Sequence, residues 1–283
     1  MLDAQTQAEV LNQALPYIQA FRGQTFVIKY GGSAMKDPAL MVSVIRNVLL
    51  LQLVGIRPIL VHGGGPEIDF WLQKLGIEKQ TRNGIRVTDE QTMDVVEMAL
   101  AGRANKSLVA EVQKAGGKAI GLSGRDSDLL QAEVLDEALG RVGKIRRVDN
   151  NILRVASEAG YIPVVCSVAT DDEHRALNIN ADTAAAAIAS SVEAAKLILL
   201  TDTNGVLEDK DNPTSTISKL TPPEVRRMIE DGRADRGMIP KLEAALHAVQ
   251  NGVPSVHLIN GGIENALLIE VFTDAGIGTM MSS

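Results

Sequence analysis

Apolar positions recur three or four residues apart over residues 4 to 21, where Leu11, Ala14, Leu15, Ile18 and Phe21 make one stripe. That spacing predicts an amphipathic helix, bent or interrupted at Pro16, whose ring removes a backbone donor. From Thr25 onward the pattern changes to short apolar runs separated by amphipathic segments: TFVIKY, a helix after Asp37-Pro38, RPILV, and a helix after Pro66. The later runs YIPVVCSVA and KLILLT are apolar without alternation, as strands buried on both faces are. Parallel strands need helical crossovers, so the chain reads as repeated β-α-β units. The fold class expected is α/β, with an open, mostly parallel sheet between helix layers.

Two stretches depart from that rhythm. Around Arg82-Asn83-Gly84-Ile85-Arg86-Val87-Thr88, Asn-Gly signals a two-residue hairpin turn, and Thr88 with Gln91 reads as a capping box opening the next helix. Residues 123 to 150 are polar and mixed, with apolar pieces around Leu129 and Val142, and read as irregular structure with short β pieces. No internal repeat, low-complexity tract or Gly/Ser linker divides the chain, but the polar segment Asp171 to Ala176 marks a boundary between two lobes.

Composition narrows the function. A chain of 283 residues can form one large domain or two lobes sharing a core, and 45% apolar with 22% charged residues fits a packed globular protein. Lys plus Arg numbers 28 against 35 Asp plus Glu, a net charge of −7, which argues against a nucleic-acid or anionic-membrane surface while leaving room for a local anion site. One cysteine, Cys166, allows no intramolecular disulfide, and four scattered histidines give no zinc spacing, so no resident metal is expected and a reducing, cytoplasmic setting is. Nearly apolar runs such as Val48 to Ile56 fall short of the ~18 residues of a membrane span, and the amino terminus has no basic segment leading into an apolar one. Neither secretion nor membrane insertion is expected.

Two glycine clusters follow predicted strands. Lys29-Tyr30-Gly31-Gly32-Ser33 combines glycines, whose backbone can approach an anion closely, with a compact positive charge; the plainer reading is a tight turn beside a solvated lysine. In His62-Gly63-Gly64-Gly65-Pro66, Pro66 at the first helical position aims the free N–H groups of its helix at the glycines. Three adjacent glycines exceed what a turn requires, which favours anion binding. An esterase oxyanion loop would need a G-x-S-x-G elbow, and neither Ser33 nor Ser123 sits in one. Neither G-x-x-x-x-G-K-[S/T] nor G-x-G-x-x-G occurs, so phosphate must be held some other way.

Three further segments have both plain and functional readings. Asn178-Ile179-Asn180-Ala181-Asp182 precedes an Ala-rich helix and is equally a plain N-cap. Lys241 in Gly237-Met238-Ile239-Pro240-Lys241 lies at a helix start, where the dipole disfavours a cation unless an anion sits between them; otherwise it is a solvated surface residue. Thr201-Asp202-Thr203-Asn204-Gly205-Val206 reads first as a strand-ending turn, second as a nucleotide-contacting loop.

Taken in order, KYGGSAMK, VHGGGPEI, NGIRVTD, NINAD, LILLTDTNGVL and GMIPK resemble the acetylglutamate kinases of the amino acid kinase superfamily, over residues 25 to 280. The resemblance implies a three-layer α/β/α sandwich and transfer of the γ-phosphoryl group of ATP to the side-chain carboxylate of N-acetyl-L-glutamate, a step of arginine biosynthesis. It implies Lys29 and Lys241 as transition-state stabilisers oriented by Asp182. Gly32, Gly64 and Gly65 become backbone donors to the phosphoryl group or substrate, Arg86 and Asn178 ligands of the substrate's α-carboxylate, and Asp202, Thr203, Gly205 and Val206 nucleotide contacts. Arg236 departs from the Gly or acidic residue common before the GMIPK run, which bears on nucleotide affinity.

The chemistry agrees with the inventory of residues. A carboxylate acceptor with a pKa near ~4.3 is ionised at neutral pH and needs no general base. The reaction needs charge neutralisation, which two lysines, glycine amides and ATP-bound Mg²⁺ would supply. The first helix and the carboxyl-terminal EVFTDAGIGTM resemble a subgroup inhibited by arginine, in which such a helix links dimers into a hexamer, a trimer of dimers. On that likeness Tyr17, His257, Glu270 and Gly276 are the arginine-site candidates; otherwise the helix packs on its own subunit. The expected division is residues 1–22 for oligomerisation, 23–175 for acceptor binding and dimerisation, and 176–283 for ATP and arginine. Aspartate, glutamate 5- and carbamate kinases are the nearest alternatives, and the NGIRVTD hairpin weighs against them. A silent binding module would not need both lysines and Asp182.

Overall fold

The computed structural model describes residues 3–31, 35, 37–209, 211–212, 214–235 and 237–282. In chain order its elements begin with α1 (Ala4–Phe21), β1 (Thr25–Tyr30), α2 (Pro38–Leu53), β2 (Arg57–His62) and α3 (Gly65–Lys74). The hairpin β3 (Thr81–Arg82) and β4 (Ile85–Arg86) follows, then α4 (Glu90–Glu97), a π-helical segment Met98–Ala104, and α5 (Asn105–Lys114). The middle of the chain supplies β5 (Ala119–Ser123), β6 (Leu130–Val134), β7 (Gly143–Val148), α6 (Asn151–Glu158), β8 (Ile162–Cys166), β9 (Val168–Thr170) and β10 (Ala176–Asn178). The last part holds α7 (Ala181–Ser191), β11 (Lys196–Thr201), β12 (Lys219–Leu220), α8 (Pro222–Glu230), α9 (Ile239–Gln250), β13 (Ser255–Asn260), α10 (Ala266–Phe272) and β14 (Gly278–Ser282).

The main sheet has the order β12-β14-β13-β11-β1-β2-β8-β5, parallel from β13 to β5, with β14 antiparallel to β13. Alternation along the strands divides the core. Phe26, Ile28, Leu60 and Val164 pack with residues of α2, α5 and α10 on one face, whereas Val27, Val61 and Val165 pack with α7 and α9 on the other. This is the α/β sandwich expected. Each fully buried aliphatic side chain contributes about 1.5–3 kcal/mol, which is why both faces of these strands are apolar. Among the described residues no helix is long and apolar enough to cross a membrane.

The apolar run at residues 161 to 169 is not one strand. It breaks at Ser167, and β9 leaves the main sheet for a second one of order β10-β9-β6-β7. Residues 123 to 150, read as irregular, supply β6 and β7 of that sheet, with a register shift between Gln131 and Ala132. The β3–β4 hairpin forms as expected, with Asn83 at φ 53° and Gly84 at φ 81°, the left-handed pair a two-residue turn requires.

Two local expectations are corrected. The helix after the hairpin is capped by Asp89, whose carboxylate accepts from the Thr92 amide at 2.8 Å. Thr88 forms no capping box; it is buried, and its hydroxyl donates to the Arg86 carbonyl at 3.1 Å. Pro16 does not interrupt α1, which runs unbroken to Phe21. The Phe21 ring packs edge-on to Phe26, so the end of α1 is tied to the core while Val10 and Leu11 stay exposed.

Candidate active site

The carboxyl ends of β1 and β2 lie side by side, with Tyr30 in register with His62, so both glycine clusters emerge at one sheet edge. The helices α7 and α9 reach the same edge by their amino-terminal turns. Asn180 caps α7 by accepting from the Asp182 and Thr183 amides. The plain capping role therefore belongs to Asn180, which frees the Asp182 side chain. That side chain is 4% exposed and lies in the first turn, where the helix dipole favours a carboxylate.

Lys29, buried at the end of β1, brings Nζ to 2.9 Å from Asp182 Oδ1 as an ion pair rather than an aligned hydrogen bond. Lys241, at the third position of α9, donates to Asp182 Oδ2 at 3.5 Å. Burial alone would raise the Asp182 carboxyl, but the two ammonium groups outweigh it and hold the group below its ordinary range. The carboxylate also offsets the unfavourable placing of Lys241 near a helix start. Two cations on one anion leave a local excess of one positive charge.

The glycine loop borders this group. A β-carbon at Gly63 would lie 3.2 Å from that of Ala181, at the start of α7. One at Gly64 would meet Leu100 Cδ2 at 2.5 Å, so the π-helical segment presses on the loop. At Gly65 a β-carbon would meet nothing within 4 Å. Gly64 lines a cavity of about 220 Å³ with Tyr30, Met35, Arg103 and Ser107. Gly32 and Arg236 lie outside the described residues.

Arg86 leaves the hairpin to ion-pair with Asp69 of α3, and its Nη1 is buried with no partner. A guanidinium half satisfied in this way retains donors for a ligand carboxylate. Asn178, on β10, donates to the Thr88 hydroxyl at 3.2 Å, and Thr88 in turn binds the Arg86 carbonyl, so the two sequence-selected residues are linked through Thr88. Asp69 was not anticipated, because it stands in no recognisable motif, and Thr88, expected only as a helix cap, instead joins Arg86 to Asn178.

The loop after β11 is first a turn, held by its own hydroxyls: Thr201 Oγ1 donates to the Thr203 carbonyl at 2.7 Å and Thr203 Oγ1 to that of Gly205 at 2.9 Å. Gly205 has φ +88° and packs against Thr279, which receives the Val206 amide. Thr203, Gly205 and Val206 still line a cavity of about 90 Å³ facing Met238, beside the start of α9. Asp202 adjoins them in the same turn.

The remaining candidates gather elsewhere. Tyr17, His257, Glu270 and Gly276 line one cavity of about 360 Å³ between the end of α1, β13 and the stretch from α10 to β14. His257 Nδ1 meets Glu270 Oε1 at 2.6 Å, and its Nε2 faces Lys196 Nζ at 2.9 Å. Because the ammonium only donates, Nε2 must accept, so the ring is neutral and Nδ1 carries the proton. Burial lowers the His257 pKa, and the adjacent Lys196 charge lowers it further against the pull of Glu270. Tyr17 donates to Asp274 at 2.6 Å, joining α1 to the far wall. Lys196 was missed in the sequence because it opens an ordinary apolar strand.

An open α/β sheet that gathers two lysines, a shared carboxylate and a glycine loop at one edge defines a protein suited to a polyanionic ligand. A model of the amino acid kinase family matches residues 24–260. The acetylglutamate kinase of Thermosynechococcus vestitus is 51% identical over 282 residues, covering 99% of this chain and 96% of that protein. The acetylglutamate kinase of a Nostoc species is 53% identical over 277 residues, covering 98% and 93%. The chain belongs to the amino acid kinase family, and within it to the acetylglutamate kinases, phosphotransferases with a carboxyl group as acceptor.

Among solved structures, N-acetylglutamate synthase from Neisseria gonorrhoeae complexed with coenzyme A and N-acetyl-glutamate aligns with a TM-score of 0.85 at 27% identity over 98% of this chain. The complex of that enzyme with coenzyme A and L-arginine aligns with a TM-score of 0.81 at 26% identity over 97% of this chain. This chain spans 63% and 65% of those two synthase chains.

Proposed function

We propose that the protein transfers the γ-phosphoryl group of ATP to the side-chain carboxylate of N-acetyl-L-glutamate, giving N-acetylglutamyl 5-phosphate in arginine biosynthesis. The observation that carries this reading is Asp182 holding Lys29 and Lys241 together beside the glycine loop. The acceptor carboxylate attacks in its ionised form, so no base is required, and the barrier lies in charge on the moving phosphoryl oxygens. Lys29 and Lys241 would face that charge from two sides, and the Gly64 and Gly65 amides, with Gly32, would donate to it. Arg86 and Asn178 would hold the α-carboxylate, and the turn from Asp202 through Thr203 and Gly205 to Val206 would touch the nucleotide.

Among the described residues no three His, Cys, Asp or Glu side chains converge as a metal site. Mg²⁺ bound to ATP would neutralise phosphate oxygens. Residues 23–175 would then bind the acceptor, and residues 176–283 the nucleotide.

The cavity holding Tyr17, His257, Glu270 and Gly276 supports arginine as a feedback inhibitor, since Glu270 and Asp274 offer carboxylates to a guanidinium. The exposed Val10, Leu11 and Leu15 of α1 support residues 1–22 as the link that assembles a hexamer, a trimer of dimers.

Trapping of acyl phosphate by hydroxylamine, with Mg-ATP and N-acetyl-L-glutamate beside glutamate and aspartate, tests the acceptor. Signal with the acetylated substrate alone, suppressed by millimolar arginine, is expected. Equal signal with glutamate or aspartate would reassign the acceptor.

A further inference from the structure

His62 ends β2 immediately before the glycine loop and is fully buried. Its Nδ1 lies 2.8 Å from the Gly63 carbonyl oxygen and its Nε2 lies 3.1 Å from Asn105 Nδ2. Asn105, also fully buried, opens α5 where the π-helical segment ends. Its amide orientation is fixed, because Nδ2 also donates to the Val164 carbonyl at 2.8 Å, with the Leu122 carbonyl at 3.3 Å as a longer, shared acceptor, while Oδ1 accepts from Lys106 at 3.1 Å. Turning the amide over would set Oδ1 against two carbonyl oxygens. An Asn Nδ2 only donates, so His62 Nε2 must accept and Nδ1 must carry the hydrogen that binds Gly63.

We propose that His62 and Asn105 are positioning residues that aim the Gly64 N–H at the phosphoryl site by tethering the Gly63 carbonyl. In a trans peptide the carbonyl and the following N–H point in opposite directions. His62 projects to the sheet face carrying α5, as Leu60 does; Val61 and Lys29 project to the face carrying α7 and Asp182. Drawing the Gly63 oxygen toward His62 therefore turns the Gly64 N–H toward the lysine pair. Among the described residues no protein acceptor takes that N–H, which leaves it for a ligand. Leu100 packs against Gly64 where a side chain would stand. The π-helical segment then has a role in setting this peptide plane, since it carries Leu100 and its end fixes where α5 begins with Asn105.

This inference rests on reading the glycine loop as a phosphoryl cradle, so its test runs beside a test of that reading. Turnover with ATP and N-acetyl-L-glutamate is measured for His62→Gln, His62→Asn, Asn105→Ala and Lys29→Met in the full chain, with a thermal melt of each. The Asn Nδ2 can occupy the place of Nδ1, whereas a Gln nitrogen falls at the place of Nε2. His62→Gln and Asn105→Ala should lower kcat on the order of 10- to 100-fold with KM for both substrates within about threefold, and His62→Asn should recover most of that loss. Loss of packing would impair the smaller His62→Asn side chain at least as much as His62→Gln, so a more active Asn variant reports the donor position. Equal kcat in the Gln and Asn variants, or wild-type kcat in His62→Gln while Lys29→Met is inactive, would overturn the proposal alone. Retained turnover in Lys29→Met would overturn the cradle reading, and this inference with it.

Discussion

Lys29 and Lys241 approach different oxygens of the same Asp182 carboxylate, at 2.9 and 3.5 Å, from elements at opposite ends of the chain. The carboxylate lets two ammonium groups share a small site that would otherwise repel them. Replacing either lysine by Met should therefore lower kcat by at least about 100-fold, because a preorganised charge opposite the phosphoryl oxygens is lost. Steady-state kinetics checks this, and kcat within a few fold of wild type would remove that lysine from the chemistry. Asp182→Asn should in addition destabilise the fold by roughly 3–5 kcal/mol, read as a lower denaturant midpoint, since it leaves nearly buried cations unpaired.

Neighbouring glycines should respond differently to alanine. At Gly64 the new methyl meets Leu100, so a loss of stability of about 1–3 kcal/mol is expected together with a loss of turnover. At Gly65, in the first turn of α3, the methyl meets nothing and removes glycine's entropic disadvantage, so the melting temperature should hold or rise. Any fall in kcat of Gly65→Ala then reports ligand contact rather than folding. A melting temperature several degrees below wild type would refute the open space.

Arg86→Gln should raise KM for the acetylated acceptor on the order of 10- to 100-fold with a smaller change in kcat, as loss of one charge-assisted contact predicts. KM for ATP is the control and should stay put. A selective effect on ATP would move Arg86 to the other substrate.

Acid should weaken the fold through His62. Burial pushes its pKa down to about 4, against 6.5 for an ordinary histidine. The folded ring thus stays neutral while the unfolded chain takes up a proton as pH falls below 6.5. Stability from this group is complete above that pH and declines between about 6.5 and 4, by up to about 3 kcal/mol. Chemical denaturation across that interval should show a flatter decline for His62→Gln than for the wild type; parallel curves would count against it.

Arginine sensitivity should depend on both α1 and the distant cavity. Deleting residues 1–22 should lower the native mass and blunt inhibition, and Glu270→Gln should raise the arginine concentration for half inhibition by at least about tenfold with basal kcat preserved. Unchanged mass by light scattering and an unchanged dose response would dismiss the assembly role of α1.

The parallel strands, the β3–β4 hairpin and the glycine loops were legible because each depends on local signals: unbroken apolar runs, Asn83-Gly84, and glycines beside strand ends. The second sheet was not. Its strands β6 and β7 are short and partly exposed, and β9 continues the apolar run of β8, so nothing at Ser167 announces a change of sheet. Of the site, Lys29, Asp182 and Lys241 could be picked out, but Asp69, Asn105 and Lys196 could not. Their significance arises from partners that the fold supplies: Arg86, His62 and His257 respectively. The Thr88 capping box failed for a related reason, since Asp89 is the better cap and tertiary burial claims the Thr88 hydroxyl.

The stretch from Ile162 to Thr170 serves two sheets with one piece of backbone, separated only at Ser167. Amide hydrogens on either side of that residue are consequently bound to a common opening event. The small sheet that carries Asn178 cannot melt alone without pulling on the strand beside His62, so exchange protection in β9 should track that in β8 through denaturant. A lesion introduced far out on β6 or β7 should then register as faster exchange beneath the glycine loop.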